Sequence, residues 1–260
     1  MPARTRSKRI LAERSHGGAL LRVTLDAPPG NIIDIPMMED LSRILRREGR
    51  APALKAILFE GAGDHFSYGV SIQDHRPERV RRMLAAFHGI FRLLARLDRV
   101  LVAAVRGQCL GGGMEIACFC HRVVAHPEAR LAQPEIDLGL FAPVASLILA
   151  GRVSRGVAEE VCLTGRPFNG REAVQAGLVD EVADDPRRAA EDWIARSILP
   201  KSAAALARAV RAVRLRTHRD LLEGLVRVER IYLRDLMKTA DAREGIEAFL
   251  ARRRPVWKDR

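Results

Sequence analysis

Short strand-like runs alternate with helix-length segments in the first part of the chain, and this alternation most restricts the folds open to it. β-Branched and apolar residues predict strands at Ala19–Leu25, Lys55–Phe59 and Val100–Val105. Apolar residues at helical spacing predict helices over Pro36–Arg47 and Pro77–Leu97. Two parallel strands need a crossover between them, which is usually a helix. The alternation therefore predicts an α/β fold built from parallel βα units, and not a sandwich or a bundle.

The last part of the chain has a different pattern, in which helical segments follow one another. Two more short strands are predicted at Arg122–Ala125 and Ala129–Ala132. Helices are predicted at Gly156–Leu163, Gly170–Ala176, Arg187–Ile198, Ser202–Thr217 and Asp220–Met237, and a last helix is opened by Asp241 with Glu244 as a capping box. We expect an α/β core over residues 1–185 and a helical C-terminal region over residues 186–260.

The composition predicts a folded chain, because 48% of the 260 residues are hydrophobic, the usual level for a globular protein. The longest uncharged stretch, Leu138–Gly151, has 14 residues and contains Pro143. A membrane-spanning helix needs about 18 apolar residues, so no span is predicted. The basic segment Met1–Ile10 is not followed by an apolar h-region, so it is not a secretory signal, and a cytoplasmic location is expected.

The net charge of +12 raises the alternative of an anionic partner such as RNA. Basic residues are concentrated in only two tracts, Arg4–Arg14 and Arg252–Arg254, and elsewhere acidic residues lie between the arginines. A general preference for arginine explains this spread as well as a binding surface does, so a nucleic-acid partner is not the favoured prediction.

The four cysteines are too few for a disulfide scaffold. Cys118, Cys120 and His121 resemble one half of a metal site, but the sequence has no second cluster that would complete a tetrahedral set of ligands. We therefore predict buried thiols and no metal.

Three successive glycines, Gly111–Gly113, follow the Val100–Val105 strand and open a predicted helix. Glycine is unfavourable in a helix, so this run indicates that the backbone approaches another group or presents its N–H groups. The spacing matches neither a P-loop nor a dinucleotide-binding fingerprint. The remaining use is an oxyanion hole, in which N–H groups and the helix dipole stabilise a thioester enolate.

Two glutamates accompany this junction. Glu115 falls in the first turn of the predicted helix, and Glu135 follows 20 residues later, after a strand pair that could return the chain to the same place. Two carboxylates beside one carbonyl suit the addition or removal of water, with one as acid and the other as base. From the spacing alone a structural role is the stronger alternative, with Glu115 facing the helix dipole and Glu135 capping a turn.

A set of motifs, taken in order, gives nearly the whole chain a resemblance to a known family. The motifs are His65–Ser71, Gly107–Glu115, Gln133–Ile136, Leu163–Arg166 with Glu172–Val179, and Glu244–Leu250. With them the chain resembles the crotonase (enoyl-CoA hydratase/isomerase) superfamily. The resemblance implies a crotonase-type spiral of βα (ββα) units whose helical C-terminal region covers the active site and takes part in trimerisation. A homotrimer or a hexamer is expected.

The resemblance also implies roles for single residues. The backbone N–H groups of Val70 and Gly112 are expected to hold the thioester oxygen, and Glu115 and Glu135 are expected to be catalytic. The coenzyme A moiety is expected at three positions, Ser67, Tyr68 and Arg252, although a solvated helix end is an alternative for the arginine. The acyl pocket is expected to be lined by Phe66, Ile72, Met114, Phe141 and Pro143, although apolar residues of this kind are more often core residues.

The implied activity is hydration of an α,β-unsaturated acyl-CoA, since hydratases of the family use two glutamates. No metal or redox cofactor is expected, because coenzyme A arrives as part of the substrate. Two alternatives stay open, an isomerase or acyl-CoA hydrolase of the same fold and an RNA-binding protein on this fold.

Pro143 is a departure from the family pattern. It stands where hydratases of open-chain enoyl thioesters commonly have an amide that holds the attacking water, and proline has no N–H. With Gly107–Gly113 upstream, the run Phe141–Ser146 resembles the branch that contains cyclohexa-1,5-diene-1-carbonyl-CoA hydratase, an enzyme of aromatic degradation. A purely loop-shaping role for Pro143 is equally open.

Overall fold

Ten strands are found in the part of the chain that the computed structural model describes, residues 4–260. They are β1 Arg4–Arg6, β2 Ile10–Ser15, β3 Leu20–Leu25, β4 Ala56–Gly61, β5 Val100–Val105, β6 Gln108–Leu110, β7 Arg122–Ala125, β8 Arg130–Ala132, β9 Phe168–Asn169 and β10 Glu181–Val182. Seven form one sheet in the order β1-β2-β3-β4-β5-β7-β10. In this sheet β3, β4, β5, β7 and β10 run parallel, whereas β2 pairs antiparallel with β3 and β1 pairs antiparallel with β2.

Helices connect most of the parallel strands, as the alternation predicts. Their bounds are α1 Ile35–Glu48, α2 Val80–Leu94, α3 Gly112–Phe119, α4 Pro143–Ile148, α5 Arg155–Thr164, α6 Gly170–Gln175, α7 Pro186–Ser197, α8 Ala203–Val213, α9 Leu215–Arg230 and α10 Ala240–Leu250. Three shorter turns lie near the site described below, a 3₁₀ turn at Ile72–His75, another at Pro134–Leu138 and a π-helical turn at Ile231–Asp235. The predicted α/β class is confirmed.

The large sheet is covered on both faces, which explains why all six residues of β5 are buried. One face packs with α1 and α2 in the larger hydrophobic core, to which β4 contributes Ile57 and Phe59. The other face packs with α7, so that Leu58 and the neighbouring strands lie against Ala190 and Ile194 in a second core cluster. In the sequence, a strand buried on both faces is a continuous run of apolar residues, and β5 has this pattern.

A small second sheet leads from the core to the candidate site. Its strands are β6, β8 and β9, with β6 parallel to β8 and β9 antiparallel to it. An isolated parallel bridge joins Ser67 to Cys109 of β6. The segment around Ser67, the start of α3 and the turn after β8 therefore meet in one place.

The N-terminal hairpin β1–β2 was not expected from the sequence. The charged residues Glu13 and Arg14 obscure the alternation in β2, in which Ile10 and Ala12 are buried against the large core. The first three residues of the basic segment Met1–Ile10 lie outside the described residues. Three arginines of the basic tract form ion pairs with acidic side chains elsewhere in the chain. Arg14 pairs with Glu48 at 2.7 Å, Arg6 pairs with Asp26 at 3.2 Å, and Arg9 pairs with Asp34 at 2.9 Å.

Two predictions for the C-terminal helices are wrong in detail. The boundary between α8 and α9 lies at Arg214, and not between Thr217 and Asp220, because amphipathic helices on both sides give the sequence no clear break. The last helix is capped by Thr239, whose side chain accepts a hydrogen bond from the Ala242 N–H at 3.1 Å. Asp241 and Glu244 do not form the predicted capping box. Instead, they accept hydrogen bonds from the backbone N–H groups of Lys258 and Val256 in the C-terminal tail.

Within residues 4–260, no helix combines the length and the apolar character that a membrane span requires.

Candidate active site

Each of the three glycines at the start of α3 faces a neighbour that a side chain would displace. A Cβ atom added in turn to Gly111–Gly113 would meet Oε1 of Glu135 at 2.5 Å, Cγ2 of Val70 at 2.6 Å and Cβ of Ser67 at 2.7 Å. Gly111 also has φ 49° and ψ −125°, a conformation that residues with a side chain seldom adopt. The glycine run thus brings the start of α3 against a carboxylate on one side and the Ser67–Val70 segment on the other.

The two residues predicted to supply the oxyanion donors are neighbours, because a Cβ atom on Gly112 would meet the Val70 side chain. Gly112 is the first residue of α3, so its N–H has no acceptor within the helix. Val70 forms a parallel β-bridge with Ile33. In this bridge the Ile33 N–H donates to the Gly69 carbonyl, and the Ser71 N–H donates to the Ile33 carbonyl. The N–H of Val70 takes no part in that bridge. Neither N–H group is thus used by the secondary structure around it, and their joint binding of one oxygen stays a prediction.

Glu115 projects from the first turn of α3 and is 2% exposed. Its Oε1 accepts a hydrogen bond from the Ala145 N–H in the first turn of α4, at 2.8 Å. Burial raises the pKa of Glu115 to about 7, although the N–H groups of Ala145 and Val144 act in the opposite direction. The carboxylate is thus held by the N-terminus of α4 and not by that of its own helix.

Glu135 lies in the 3₁₀ turn that follows β8. Its Oε1 faces Gly111, whereas its Oε2 is buried and has no hydrogen-bond partner within the described chain. Burial, together with the negative charge of Glu115, raises the pKa of Glu135 to about 8. Two neighbouring carboxyl groups titrate as a pair, and ionisation of one favours the protonated form of the other. The predicted pair is therefore brought together in a state that contains both an acid and a base.

The three residues predicted to contact coenzyme A lie in different surroundings. Ser67 is fully buried, and its hydroxyl donates to the Asn31 carbonyl at 2.8 Å and accepts from the Gly69 N–H at 3.0 Å. Its side chain therefore supports the loop and is not open to a ligand. Tyr68 is 45% exposed beside this loop. Arg252 is exposed after α10.

The predicted acyl-pocket residues differ in burial, and their role stays a prediction. Met114 is fully buried in α3, Pro143 is buried at the start of α4, and Ile72 and Phe141 are half-buried against the large core. Phe66 lines a cavity of about 440 Å³ together with Arg22 and Arg106, and neither glutamate belongs to that lining. Phe141 has a different neighbour, because its ring centroid lies 5.1 Å from that of Tyr232.

Sequence reasoning missed two residues at this site. Ala145 acts through a backbone N–H, which no side-chain pattern can reveal. Tyr232 lies 97 positions after Glu135 along the chain and reaches the site only through the packing of the turn after α9. Its rarity could have drawn attention to it, since the chain has two tyrosines in all.

The cysteine cluster has no ligands arranged for a metal. His121 accepts a hydrogen bond from the Leu101 N–H through Nδ1 at 2.9 Å, so one of its ring nitrogens is already used. Cys109, Cys118 and Cys120 are buried, and burial raises the pKa of the Cys118 thiol to about 11. Among residues 4–260, no three His, Cys, Asp or Glu side chains are grouped so that they could hold a metal ion.

Known proteins resemble this chain over nearly its whole length. Residues 15–260 match the family model described as enoyl-CoA hydratase/isomerase. A cyclohexa-1,5-dienecarbonyl-CoA hydratase of Thauera aromatica is 41% identical over 94% of either chain. A probable enoyl-CoA hydratase of Rhizobium meliloti is 33% identical over 92% of this chain and 94% of its own. The crystal structure of an enoyl-CoA hydratase from Mycobacterium avium subsp. paratuberculosis matches with a TM-score of 0.85 at 26% identity, covering 98% of this chain and 100% of the other.

These matches confirm the resemblance inferred from the motifs and, with it, the crotonase-type fold. They also confirm the predicted enzyme class, a hydro-lyase of the enoyl-CoA hydratase type. The chain belongs to the enoyl-CoA hydratase/isomerase family.

Proposed function

We propose that the protein adds water to a cyclic dienoyl thioester, cyclohexa-1,5-diene-1-carbonyl-CoA. The observation that carries this proposal is the pair of neighbouring carboxyl groups, buried Glu115 and half-buried Glu135, beside the glycine run that starts α3. The name of the Thauera aromatica relative supports the choice of substrate. Coenzyme A enters as part of the substrate, and no further cofactor is required.

The reaction follows from the chemistry of these groups. The two N–H groups bind the thioester oxygen and stabilise the negative charge that develops on it during addition. One carboxylate accepts a proton from water while the water oxygen bonds to the ring carbon β to the thioester. The protonated carboxyl group of the pair delivers a proton to the far end of the second double bond, which completes a 1,4-addition. The product is the 6-hydroxycyclohex-1-ene thioester.

Pro143 favours a cyclic diene over an open-chain substrate. It begins α4 without an N–H, and the next backbone donors, Val144 and Ala145, are directed to Glu115. No amide of this segment is left to hold water for a short open-chain acyl group. A conjugated cyclic diene can take up water by 1,4-addition, and this reaction does not depend on that donor.

A panel of purified thioesters tests the substrate. Loss of a positioned donor at a charged centre costs about 2.7–4 kcal/mol, so kcat/KM for the cyclic dienoyl-CoA should exceed that for crotonyl-CoA by at least about a hundredfold. The measurement is initial rate against concentration for both substrates, with the products identified by mass spectrometry. Equal rates on both, or turnover of crotonyl-CoA alone, would refute the cyclic substrate and leave an open-chain enoyl-CoA hydratase.

A further inference from the structure

Tyr232 carries a buried hydroxyl group that nothing in the described chain binds. The residue belongs to the π-helical turn after α9 and is 1% exposed, and its Oη atom has no hydrogen-bond partner among residues 4–260. Burial of an unpaired hydroxyl costs free energy, and such groups are rare in folded proteins. Single π-helical turns inside helical segments are also frequent at functional sites. Both features indicate that the hydroxyl has a partner that the chain itself does not supply.

The packing of the ring places Tyr232 beside the segment that joins the two glutamate-holding elements. The Tyr232 ring lies against Phe141, with centroids 5.1 Å apart and planes inclined at 56°. Phe141 connects the turn that carries Glu135 to the helix whose Ala145 N–H holds Glu115. Burial raises the pKa of Tyr232, and the negative charges of Glu135 and Glu115 raise it further, so the phenol keeps its proton and is a hydrogen-bond donor.

A water molecule in this site needs such a donor. The carboxylates can accept hydrogen bonds from it, and Oε2 of Glu135 is a buried acceptor without a partner in the described residues. The backbone donors nearby are already directed to Glu115, through Val144 and Ala145, and Pro143 has none. Tyr232 Oη is therefore the donor available to a water oxygen that is also bound by the glutamates.

We propose that Tyr232 is a positioning residue whose hydroxyl donates a hydrogen bond to the oxygen of the water that adds to the substrate. The inference rests on the proposed hydration. During the step, the water oxygen forms its bond to the ring carbon, one water proton passes to the ionised carboxylate, and the protonated carboxyl of the pair gives its proton to the far ring carbon. Tyr232 keeps its own proton and fixes the direction from which the oxygen approaches.

The variant Tyr232→Phe tests this role, because it removes the hydroxyl and keeps the ring against Phe141. We expect kcat to fall about tenfold to a hundredfold, the effect of one hydrogen bond to an oxygen that gains charge, with KM changed less than about threefold. The melting temperature should stay the same or rise, because an unpaired buried hydroxyl has been removed. A loss of turnover without a loss of stability is a combination that a structural hydroxyl does not produce.

Thr24→Val is the matched control, since it removes a buried hydroxyl of β3 that donates to Glu60 at 2.8 Å. It should lower the melting temperature and leave kcat unchanged. An unchanged kcat in Tyr232→Phe, or a fall in kcat together with a fall in melting temperature, would overturn the assignment.

The assay uses whichever thioester of the panel the wild-type protein hydrates, which separates the two proposals. If crotonyl-CoA alone is hydrated, the cyclic substrate is wrong, and the Tyr232 assignment is decided on crotonyl-CoA. If the wild-type protein hydrates no thioester, both proposals are overturned.

Discussion

At the scale of the residue, the surroundings of Glu115 and Glu135 differ although the side chains are the same. Glu115 has an N–H group on one oxygen, whereas Oε2 of Glu135 faces no donor in the part of the chain that the structure describes. Burial is the largest cause of the raised pKa of both side chains, and the negative charge of Glu115 raises the pKa of Glu135 further. Both carboxyl groups are therefore harder to ionise than an ordinary glutamate.

Glu135→Gln should abolish most of the hydration activity and leave the fold intact. The amide keeps the shape of the side chain but can neither give nor take the proton, and loss of a general acid or base typically lowers the rate by about 10²–10⁴-fold. The measurement is kcat on the substrate that the panel identifies, with circular dichroism as the check on folding. Full activity in this variant would show that the carboxylate is structural.

The same variant should change how stability depends on pH. The pKa of Glu135 is raised from 4.5 to about 8 in the folded protein, so between these values the folded chain keeps a proton that the unfolded chain has lost. The stability that this group contributes is therefore present below pH 4.5 and is lost as pH rises through 8. Glu135→Gln removes this dependence, and its melting temperature relative to wild type should increase from pH 5 to pH 9. A constant difference across that range would contradict the raised pKa.

At the scale of the element, the start of α3 shows how a glycine run shapes a site. The helix can approach both the Glu135 turn and the Ser67–Val70 segment only because Gly111–Gly113 present no side chains. A single alanine there would force apart elements that are adjacent only in the folded protein. The close approach at this helix terminus thus depends on the absence of side chains at these three positions.

Gly111→Ala should lower activity more than tenfold and destabilise the protein by about 1–3 kcal/mol, the cost of a strained backbone conformation. The φ of 49° disfavours alanine, and its Cβ would meet Oε1 of Glu135 at 2.5 Å. The control is Gly89→Ala, in α2, where a Cβ would have no atom within 4 Å. The control should stabilise the helix by up to about 1 kcal/mol and leave kcat unchanged. Thermal melts and kinetics of both variants check the prediction, which fails if Gly111→Ala retains wild-type turnover.

At the scale of the whole molecule, the net charge of +12 does not by itself indicate a nucleic-acid partner. Three arginines of the N-terminal tract are paired with acidic residues of other elements, as Arg14 is with Glu48 of α1. Paired charges satisfy each other and present a weaker field to a polyanion. The tract therefore helps to attach the β1–β2 hairpin to the core.

Any RNA binding should accordingly be non-specific. We expect it to fade steeply between about 50 and about 200 mM salt, as the release of counterions requires, while hydration of the acyl-CoA substrate persists. Fluorescence anisotropy with two unrelated RNA sequences, measured across this salt range, checks the expectation. Sequence-selective affinity at the higher salt would restore the RNA-binding alternative.

The sequence by itself determined the class of the fold and the position of the chemistry. Strand β5 coincides with the prediction because a strand buried on both faces is apolar throughout. The family follows from the order of its motifs, and the paired glutamates were found because acid–base chemistry needs ionisable side chains. These features are local in the chain, so local patterns reveal them.

Only the tertiary structure decided which distant groups meet. The β1–β2 hairpin owes its place to pairing with β3, the Ala145 amide reaches Glu115 from another helix, and Tyr232 arrives from a turn 97 residues after Glu135. The raised pKa values of the glutamates likewise result from burial by elements remote in sequence. Backbone donors, burial and contacts over long sequence separations leave no local pattern, because they exist only once the chain has packed.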